Sequence, residues 1–281
     1  FLFFQVQRFL PRDLSIHMVD VGQGDCTLVI TPTGKTILVD GGGSSKESDF
    51  DVGERIVVPY LLNKGIRQID YLVFSHFDAD HCMGLLPVLQ HLSVKQILLT
   101  KQAEIKEEYM LLIQEAMQKK VPIQIVTMGD TIIIENNITL QILFPDTTFL
   151  SENAINNNAM VMRLVAKDVS ILFTGDIEEI AEKQILQKIS SEQLKADILK
   201  VAHHGSKSSS SEAFLKAVNP KIAMIGVGAK NTFGHPSQEV LDRLEALDCK
   251  IYRTDQMGEI TIKVSNKGKI KIHTQIKAKN V

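Results

Sequence analysis

Short apolar runs rich in β-branched residues recur along this chain, separated by turn-forming residues. Such runs are typical of β-strands. They predict strands over Ser15–Val19, Thr27–Thr31, Thr36–Val39, Tyr71–Ser75, Gln96–Thr100, Ile123–Val126, Ile138–Leu143, Met160–Val165, Ser170–Phe173, Ile198–Ala202, Ile222–Ile225 and Glu259–Val264.

Between some of these strands the apolar residues recur with a helical period. They predict helices over Gly53–Lys64, Met83–Leu92, Glu104–Lys120, Glu178–Lys188, Ser211–Ala217 and Ser237–Leu247. The chain opens with strands, and strands alternate with helices later. Two sheets packed face to face with helices outside fit this order. No composition shift marks a boundary, so we expect one layered α/β (α+β) domain over residues 14–281.

Composition and charge narrow the class of protein. The 281 residues carry a net charge of −2, with 44% hydrophobic and 23% charged residues. This usage excludes a largely disordered chain and a polybasic nucleic-acid binder. The three cysteines (Cys26, Cys82 and Cys249) are far apart, which excludes a disulfide scaffold and a cysteine-based zinc ribbon.

Residues 1–13 form an apolar lead-in that includes Phe1–Phe4 and Phe9–Pro11. It lacks the basic region and the small-residue cleavage site of a signal peptide. No stretch reaches the roughly 18 apolar residues that a membrane-spanning helix needs. The lead-in is either the end of an upstream membrane segment or the start of an apolar strand. The first residue is not Met, which favours a fragment of a longer protein.

The segment Ser75–His81 places four potential metal ligands directly after a predicted strand: His76, Asp78, Asp80 and His81. Such groups at a strand end would repel and desolvate one another unless a cation lay between them. A tight turn would direct one pair to one ion and the other pair to a second. A helix N-cap accounts for Asp80 or His81 alone. It leaves His76 and Asp78 unexplained, so the segment predicts a metal site.

Three other predicted strands also end in ionisable residues. Asp40 follows one, Asp176 follows another, and the pair His203 and His204 follows a third. Each of these signals is weak alone, because polar residues are common in turns. Strand ends of a sheet meet at one rim, however, so together they favour a single shared site.

In this order, the segments resemble the metallo-β-lactamase superfamily. Its hallmark is His-x-His-x-Asp-His after a strand, followed by a bridging Asp and a late His. The segments Val19–Asp25, Lys200–Ser206 and Phe233–Ser237 narrow the resemblance to the C-terminal domain of the ComEC family of bacterial DNA-uptake channels. It covers roughly Leu14–Lys263 and implies a four-layer αββα sandwich. It also implies attachment to a transmembrane channel region, at the outer face of the cell membrane.

The resemblance implies two divalent metal ions. His76 and Asp78 match the ligand pair of the first metal. Asp80 and His81 match the pair of the second metal, and Asp176 matches the carboxylate that bridges both.

Residues around these ligands also match the family. His204 matches the late ligand of the second metal, with His203 as the less favoured alternative. Asp40 resembles a buried carboxylate that braces the ligand turn through hydrogen bonds. Asp25 is expected at the same rim, in a supporting role around the ligands.

The chain departs from the common zinc hydrolases of this superfamily at two places. Asp78 stands where the motif usually has His, and the usual middle His is missing from Asn156–Met160. Asn158 could bind the metal, hold substrate or cap a strand, and a supporting role is favoured. Carboxylate oxygens suit Mn²⁺ or Mg²⁺ better than Zn²⁺. We therefore expect a two-metal site that prefers Mn²⁺, with Zn²⁺ or Mg²⁺ as alternatives.

A two-metal site of this kind implies phosphodiester hydrolysis by a metal-activated hydroxide. Asp80 and Asp176 would take part by holding the metals. His203 and His235 are candidates for protonating the leaving oxygen. His235 also stands in a Gly-His-Pro turn, where a purely structural role is an alternative.

Residues 195–236 contain six lysines and two acidic residues, a net charge of +4. Lysines and serine hydroxyls are common sequence-independent phosphate contacts. Substrate contacts are therefore predicted for Lys200, Ser206, Lys207 and His235, although a solvated face would give the same pattern. Aromatic residues placed for base stacking are Phe77 and Phe233.

Three functions fit these features. The first is a metal-dependent nuclease that binds single-stranded or duplex DNA and degrades the strand that is not transported. The second is a hydrolase of a small phosphodiester or another ester, since one fold hosts all of these reactions. The third is a non-catalytic domain that guides DNA and whose metal site has decayed.

Overall fold

A computed structural model describes residues 13–43, 50–102, 107–167 and 169–277. Its strands are β1 (Leu14–Met18), β2 (Thr27–Ile30), β3 (Thr36–Val39), β4 (Gln68–Ile69), β5 (Tyr71–Val73), β6 (Ser93–Val94), β7 (Ile97–Thr100), β8 (Ile123–Val126), β9 (Thr131–Glu135), β10 (Ile138–Phe144), β11 (Val161–Ala166), β12 (Val169–Phe173), β13 (Ile198–Lys200), β14 (Ile222–Ile225), β15 (Lys250–Arg253), β16 (Ile260–Val264) and β17 (Ile270–Thr274).

The α-helices are α1 (Val58–Asn63), α2 (Ala79–Cys82), α3 (Leu85–His91), α4 (Glu107–Gln118), α5 (Ala154–Asn157), α6 (Glu179–Lys188), α7 (Ser191–Leu194), α8 (Glu212–Val218), α9 (Gln238–Glu245) and α10 (Thr254–Met257). A π-helical turn (Gly53–Val57) leads into α1, and a 3₁₀ turn (Ala202–Gly205) follows β13. The predicted lead-in over residues 1–13 lies outside the described residues, except for residue 13.

Two large sheets dominate the described residues. Sheet I has the strand order β17-β16-β1-β2-β3-β5-β7-β8, and sheet II has the order β15-β14-β13-β12-β11-β10-β9. In each sheet one half is antiparallel and the other is parallel. The parallel halves bring the carboxyl ends of β3, β5, β12, β13 and β14 to one region, as the ionisable strand ends predicted.

Side-chain alternation along the strands creates the layers. Ile37 and Val39 of β3 face the core between the two sheets, whereas Leu38 faces the core beneath the helices that cover sheet I. In sheet II, Ile171 faces the central core and Leu172 faces the helices on the other side. The result is the four-layer αββα sandwich, so the predicted fold class is confirmed.

Strands and helices that the sequence did not predict lie mainly at the margins. Three of these strands, β9, β15 and β17, are at or next to sheet edges, where polar and apolar residues mix. The predicted helix Met83–Leu92 corresponds to α3, and the short helix α2, which Asp78 caps, was not predicted and ends at Cys82 just before it. No helix among the described residues has the length and apolar character to cross a bilayer.

The Glu259 carboxylate joins α1 to sheet I. It accepts hydrogen bonds from Tyr60 Oη at 2.6 Å and from His17 Nδ1 at 2.9 Å, and Lys64 Nζ lies 3.3 Å away. Burial favours the neutral acid, but these partners outweigh it and lower the pKa of Glu259 to about 2. Because the folded-state pKa is below the ordinary 4.5, the stabilisation is present above pH 4.5 and is lost as the pH falls towards 2.

We therefore expect Glu259→Gln to lower the free energy of unfolding by about 1 kcal/mol at pH 7, since the site is partly solvated. The gap in the free energy of unfolding between Glu259→Gln and the wild type should shrink below pH 4.5. Urea unfolding of both proteins at pH 7 and pH 3.5 measures it. A gap that stays constant with pH would contradict this assignment.

Candidate metal centre

Strand ends from both sheets supply the site. Asp40 follows β3, His76 follows β5, Asp176 follows β12 and His204 follows β13. Asp40, with φ of 56°, and His204, with φ of 52°, adopt the left-handed conformation, as does His203. Non-glycine residues hold this strained conformation only where their surroundings fix it. The chain therefore accepts local strain to direct these side chains inwards.

The motif helix α2 is clamped by two glycine-rich loops. A Cβ atom on Gly24 would collide with the backbone carbonyl of Asp80, and one on Gly43 would collide with that of Ala79. Asp25 N also donates to Asp80 O at 3.1 Å. These loops need glycine because only a bare backbone approaches the ligand turn this closely.

Three buried imidazoles form the centre of the site. The ring centroids of His76 and His81 are 4.2 Å apart, and those of His81 and His204 are 5.2 Å apart. Each Nδ1 has a hydrogen-bond partner, and these partners are Ser75 Oγ, Asp40 Oδ2 and Gly226 O, respectively. The Nε2 atoms of all three rings are buried and have no well-formed hydrogen bond among the described residues.

The hydrogen bonds on Nδ1 fix which ring nitrogen carries the proton. The Gly226 carbonyl and the Asp40 carboxylate only accept, so His204 and His81 donate from Nδ1. The Ser75 hydroxyl donates to Asp40 Oδ2 at 2.7 Å, so it accepts from His76 Nδ1. Each Nε2 is therefore the ring position at which a metal binds, with its Nδ1–H oriented by a protein partner.

Carboxylate oxygens lie directly opposite these nitrogens. Asp176 Oδ1 is 3.2 Å from His81 Nε2, and Asp176 Oδ2 is 3.3 Å from His204 Nε2. Asp80 Oδ2 is 3.1 Å from His204 Nε2. Asp176 thus offers one oxygen to each of the two imidazoles assigned to the second metal, and its bridging role stays a prediction.

Asp78 has a second function that the sequence did not assign to it. Its Oδ1 accepts from Ala79 N at 2.7 Å and caps α2. Burial and the nearby Asp80 raise the pKa of Asp78. A cation beside Asp78 would relieve this repulsion, and the first-metal pair of His76 and Asp78 stays a prediction.

Titration behaviour also fits a cation site. Burial and the neighbouring His81 lower the pKa of His76 to about 3, so its ring is neutral. Burial also opposes charge on His204, but Asp176 and Asp25 outweigh it and raise the pKa of His204 to about 10. Asp176 and its neighbours likewise raise the pKa of His81 against the effect of burial. A divalent ion bound at the Nε2 atoms would displace the imidazole protons that these carboxylates stabilise.

Asp25, His81, Asp176 and His204 also offer ligand atoms within 4.8 Å of one another. Asp25, however, lies beside the Nδ1 edges of the two rings, 3.7 Å from His81 Nδ1 and 3.8 Å from His204 Nδ1. Its carboxylate also pairs with Lys200 Nζ. This position behind the ligands supports the predicted supporting role for Asp25. The nitrogen and oxygen donors of the site fit one or two divalent cations.

The family model of the metallo-beta-lactamase superfamily matches residues 19–228. The chain belongs to the metallo-β-lactamase superfamily. It is a metal-dependent hydrolase of that superfamily, and its buried ligand cluster is the candidate metal centre.

Two curated competence proteins of bacteria are similar to it. ComE operon protein 3 of Bacillus subtilis is 33% identical over 270 residues, covering 92% of this chain and 34% of that protein. Competence protein ComA of Neisseria gonorrhoeae is 27% identical over 260 residues, covering 92% of this chain and 34% of that protein. The chain therefore spans about a third of the length of these relatives.

The solved metallo-beta-lactamase fold protein YhfI from Bacillus subtilis shares the fold. It superposes with a TM-score of 0.54 at 12% identity, covering 93% of this chain and all of that chain, 100%. The predicted resemblance to the superfamily and to competence proteins is confirmed.

The position of Lys200 contradicts the substrate contact predicted for it from the sequence. It is 3% exposed, and its Nζ contacts Asp25, Gly175 O at 3.0 Å and Asp176 Oδ1 at 3.5 Å. A lysine enclosed in this way does not reach a substrate phosphate. It instead supplies a fixed positive charge behind the metal ligands.

The serine-rich loop is likewise largely structural. Ser206 is buried, and its hydroxyl pairs with that of Ser208 at 3.0 Å, so a direct substrate contact is not favoured. The buried Glu182 accepts from the backbone N–H groups of Ser210 and Ser211 at 2.5 and 2.8 Å. Lys207, by contrast, is exposed next to the site.

The predicted basic segment does not form one surface. Lys195 and Lys221 precede β13 and β14, at the edge opposite the site, and Lys221 pairs with Asp197 at 2.8 Å. Lys216 pairs with Glu212 at 2.5 Å. Since Lys200 is buried, the exposed lysines of this segment near the site are Lys207 and Lys230. A net charge summed over the whole segment does not separate the lysines that precede a strand from those that follow it.

Asn158 lies beside the site but serves a loop. Its Oδ1 accepts from Leu150 N at 2.9 Å, and its Nδ2 donates to Leu150 O at 2.9 Å and to Ala154 O at 2.6 Å. These bonds occupy both ends of the amide. Of the roles considered for Asn158, the structure therefore favours a supporting one.

Two residues with no role assigned from the sequence belong to the site. Ser75 connects Asp40 to His76, as described above. Glu178 accepts from Ser208 Oγ at 2.9 Å, and its Oε1 lies 3.6 Å from His203 Nδ1. Ser75 was detectable as the residue between a strand and the motif. Glu178 carries no sequence signal, because it resembles any glutamate at the start of a helix.

Metal binding should stabilise the fold through Asp176. At a hundredfold excess over Kd, a ligand that binds only the folded state adds about 2.7 kcal/mol, or roughly 5–10 °C in Tm. We expect Mn²⁺ to raise the Tm of the chelator-treated wild type by such an amount and to leave Asp176→Asn nearly unchanged. Thermal unfolding with and without Mn²⁺ measures this.

The matched control for Asp176→Asn is Asp248→Asn, which changes an exposed aspartate before β15 at the opposite edge. It should retain the full metal-dependent shift. An equal shift in Asp176→Asn and the wild type would contradict the assignment of Asp176 as a ligand.

The buried pair of Lys200 and Asp25 generates a further prediction. Lys200→Met should destabilise the metal-free protein by about 3–5 kcal/mol, because it leaves Asp25 buried and unpaired. A second change, Asp25→Asn, should recover part of this loss. Urea unfolding in chelator measures all three proteins. Wild-type stability in Lys200→Met would show that the pair has no such role.

Proposed function

We propose that this chain is the DNA-hydrolysing domain of a competence DNA-uptake protein, with a divalent metal centre and Mn²⁺ as the preferred ion. One observation carries the proposal. Three buried imidazole Nε2 atoms lack well-formed hydrogen bonds, and those of His81 and His204 lie 3.2 and 3.3 Å from the Asp176 carboxylate. The chain is similar to competence proteins over 92% of its length. The ligand set of His76, Asp78, Asp80, His81, Asp176 and His204 remains part of the proposal.

Divalent ions bound here would supply Lewis acidity that polarises a phosphodiester and makes water nucleophilic at neutral pH. The chain's own contribution is to fix the ligands before substrate arrives. Asp40 holds His81 at 3.0 Å and Ser75 N at 2.8 Å, so the motif turn does not need to reorganise. Asp80 keeps 29% of its side chain accessible, whereas His81 and His204 are buried, so the substrate would approach from the side of Asp80.

His203 is the better placed candidate for protonating the leaving oxygen. Its Nε2 is 4.0 Å from Asp176 Oδ2, so the ring lies at the site without the close contact that His204 makes. Its Nδ1 lies 3.6 Å from Glu178 Oε1, so a carboxylate stands on the side of the ring that faces away from Asp176. His203 Nε2 would then hold the proton that passes to the departing oxygen. This geometry favours His204 over His203 as the ligand.

The competence relatives support the cellular setting, which is also proposed. The chain would be joined to a membrane channel region at the outer face of the cell membrane. There it would degrade the strand that is not transported. Lys207 and Lys230 would contact the backbone phosphates of that strand.

A second candidate function is hydrolysis of a small phosphodiester. The lysines of residues 195–236 are divided between both edges of sheet II, so they do not line one continuous groove for DNA. This division favours a small substrate. The same metal centre would serve both substrates. They are distinguished by rate, not by the ligands.

The test adds Mn²⁺, Mg²⁺ or Zn²⁺ singly to chelator-treated protein with end-labelled single-stranded or duplex DNA. We expect Mn²⁺-dependent cleavage that falls at least a hundredfold in Asp80→Ala, because that variant loses a metal ligand and electrostatic stabilisation of this kind is worth that much. Gel analysis of the labelled products gives the rate and the polarity. Asp248→Asn is the control and should cleave like the wild type.

Efficient hydrolysis of a small phosphodiester without cleavage of DNA would favour the second candidate. Bound metal without hydrolysis of either substrate would favour a DNA-guiding domain. Cleavage that survives Asp80→Ala would place the reaction elsewhere.

A further inference from the structure

An exposed aromatic ring stands next to the metal centre. Phe233 is 68% exposed, yet its ring stacks on His235 with centroids 5.7 Å apart and planes 23° apart. His235 lies edge-on to His203, at a centroid distance of 5.7 Å. Since His203 Nε2 is 4.0 Å from Asp176 Oδ2, a row of rings leads from the metal ligands to solvent.

The loop that carries this stack is held in place. Asn231 Nδ2 donates to Gly228 O at 3.0 Å and to His235 O at 2.8 Å, and Asn231 Oδ1 accepts from His235 N at 3.1 Å. Both ends of the loop are therefore tied through one side chain. Phe233 is presented by a fixed loop and does not fold back onto the apolar core.

The same loop is tied to the turn that carries His204. Ser237 N donates to Gly205 O at 2.9 Å, and a Cβ atom on Gly205 would collide with Pro236. The distance between the stack and the metal ligands is thus set by packing. A group bound on Phe233 would have a defined position relative to Asp176.

Phe77, the other aromatic residue considered for stacking, is not available. It is 1% exposed and packs against Phe74 and Tyr109 at centroid distances of 5.7 and 5.9 Å. Its place in the metal motif reflects core packing. Of the two aromatic residues that the sequence suggested, Phe233 is the one open to a ligand.

The surroundings of the stack fit a nucleotide. An exposed aromatic face binds any nucleobase, because every base has a π-face. Lys230 in the same loop and Lys207 in the neighbouring loop are exposed and offer charge to phosphates. His235 Nδ1 is buried without a hydrogen-bond partner among the described residues, on the ring between Phe233 and the metal centre.

We propose that the Phe233–His235 stack is a nucleobase-binding subsite that holds an unpaired base of single-stranded DNA next to the phosphodiester to be cleaved. This inference rests on the proposed nuclease function and names its substrate class. A base inside a duplex has both faces covered by neighbouring bases. The subsite would therefore favour single strands and frayed ends over duplex DNA.

The test measures binding by fluorescence anisotropy. Metal-loaded protein is titrated against a fluorescein-labelled twelve-residue thymidine oligonucleotide whose phosphorothioate links resist hydrolysis. Base stacking contributes about 1–3 kcal/mol, so we expect Phe233→Ala to raise Kd by roughly 5- to 150-fold. Phe233→Trp should bind like the wild type. Phe233→Leu should resemble Phe233→Ala, because it keeps an apolar side chain but loses the ring.

An abasic oligonucleotide of the same length and charge separates stacking from charge. The wild type and Phe233→Ala should bind it equally. Tm values and metal content of the variants, expected to equal those of the wild type, show that the centre is intact.

Wild-type affinity for the thymidine oligonucleotide in Phe233→Ala, together with DNA cleavage by the wild type, would overturn the subsite and leave the nuclease function in place. A Phe233→Ala defect of equal size on the abasic oligonucleotide would also overturn it. Failure of the wild type to bind or cleave any DNA would overturn both proposals.

Discussion

The rest of the site depends on the hydrogen bonds that the buried Asp40 carboxylate accepts. It accepts from Ser75 N and Ser75 Oγ and from His81 Nδ1, so one side chain joins the end of β3, the end of β5 and α2. An ionised group in this position is stable only because three donors surround it. Through Ser75 the same carboxylate also sets the orientation of His76.

Charge balance explains why so many acidic groups tolerate one another here. Asp25, Asp40, Asp80 and Asp176 lie within a small volume, and Lys200 is the fully enclosed cation among the described side chains that face them. The remaining negative charge requires protons on the imidazoles or divalent ions on their Nε2 atoms. The architecture therefore couples metal binding to the protonation of the ligands.

Sheet topology converts this local chemistry into a surface that a substrate can reach. Parallel strands place Asp176, His204 and the loop after β14 at the same rim, and that loop carries the stack of Phe233 on His235. The antiparallel halves extend the sheets away from the site and enlarge the central core. The chemistry is thus concentrated at one rim of the parallel halves, whereas both halves of each sheet contribute residues to the apolar cores.

The sequence by itself predicted the strands that line the site and the motif residues that meet there, and the family resemblance implied the bracing role of Asp40. Periodicity and motif spacing are local properties, so they can be recognised in the sequence without knowledge of the fold. Only the tertiary structure decided that Lys200 is enclosed, that Phe77 packs in the core, and that the lysines of residues 195–236 are divided between opposite edges. It also brought Glu178 to His203. Burial, and the meeting of residues from different strands and helices, depend on contacts between distant segments, which no local pattern of residues contains.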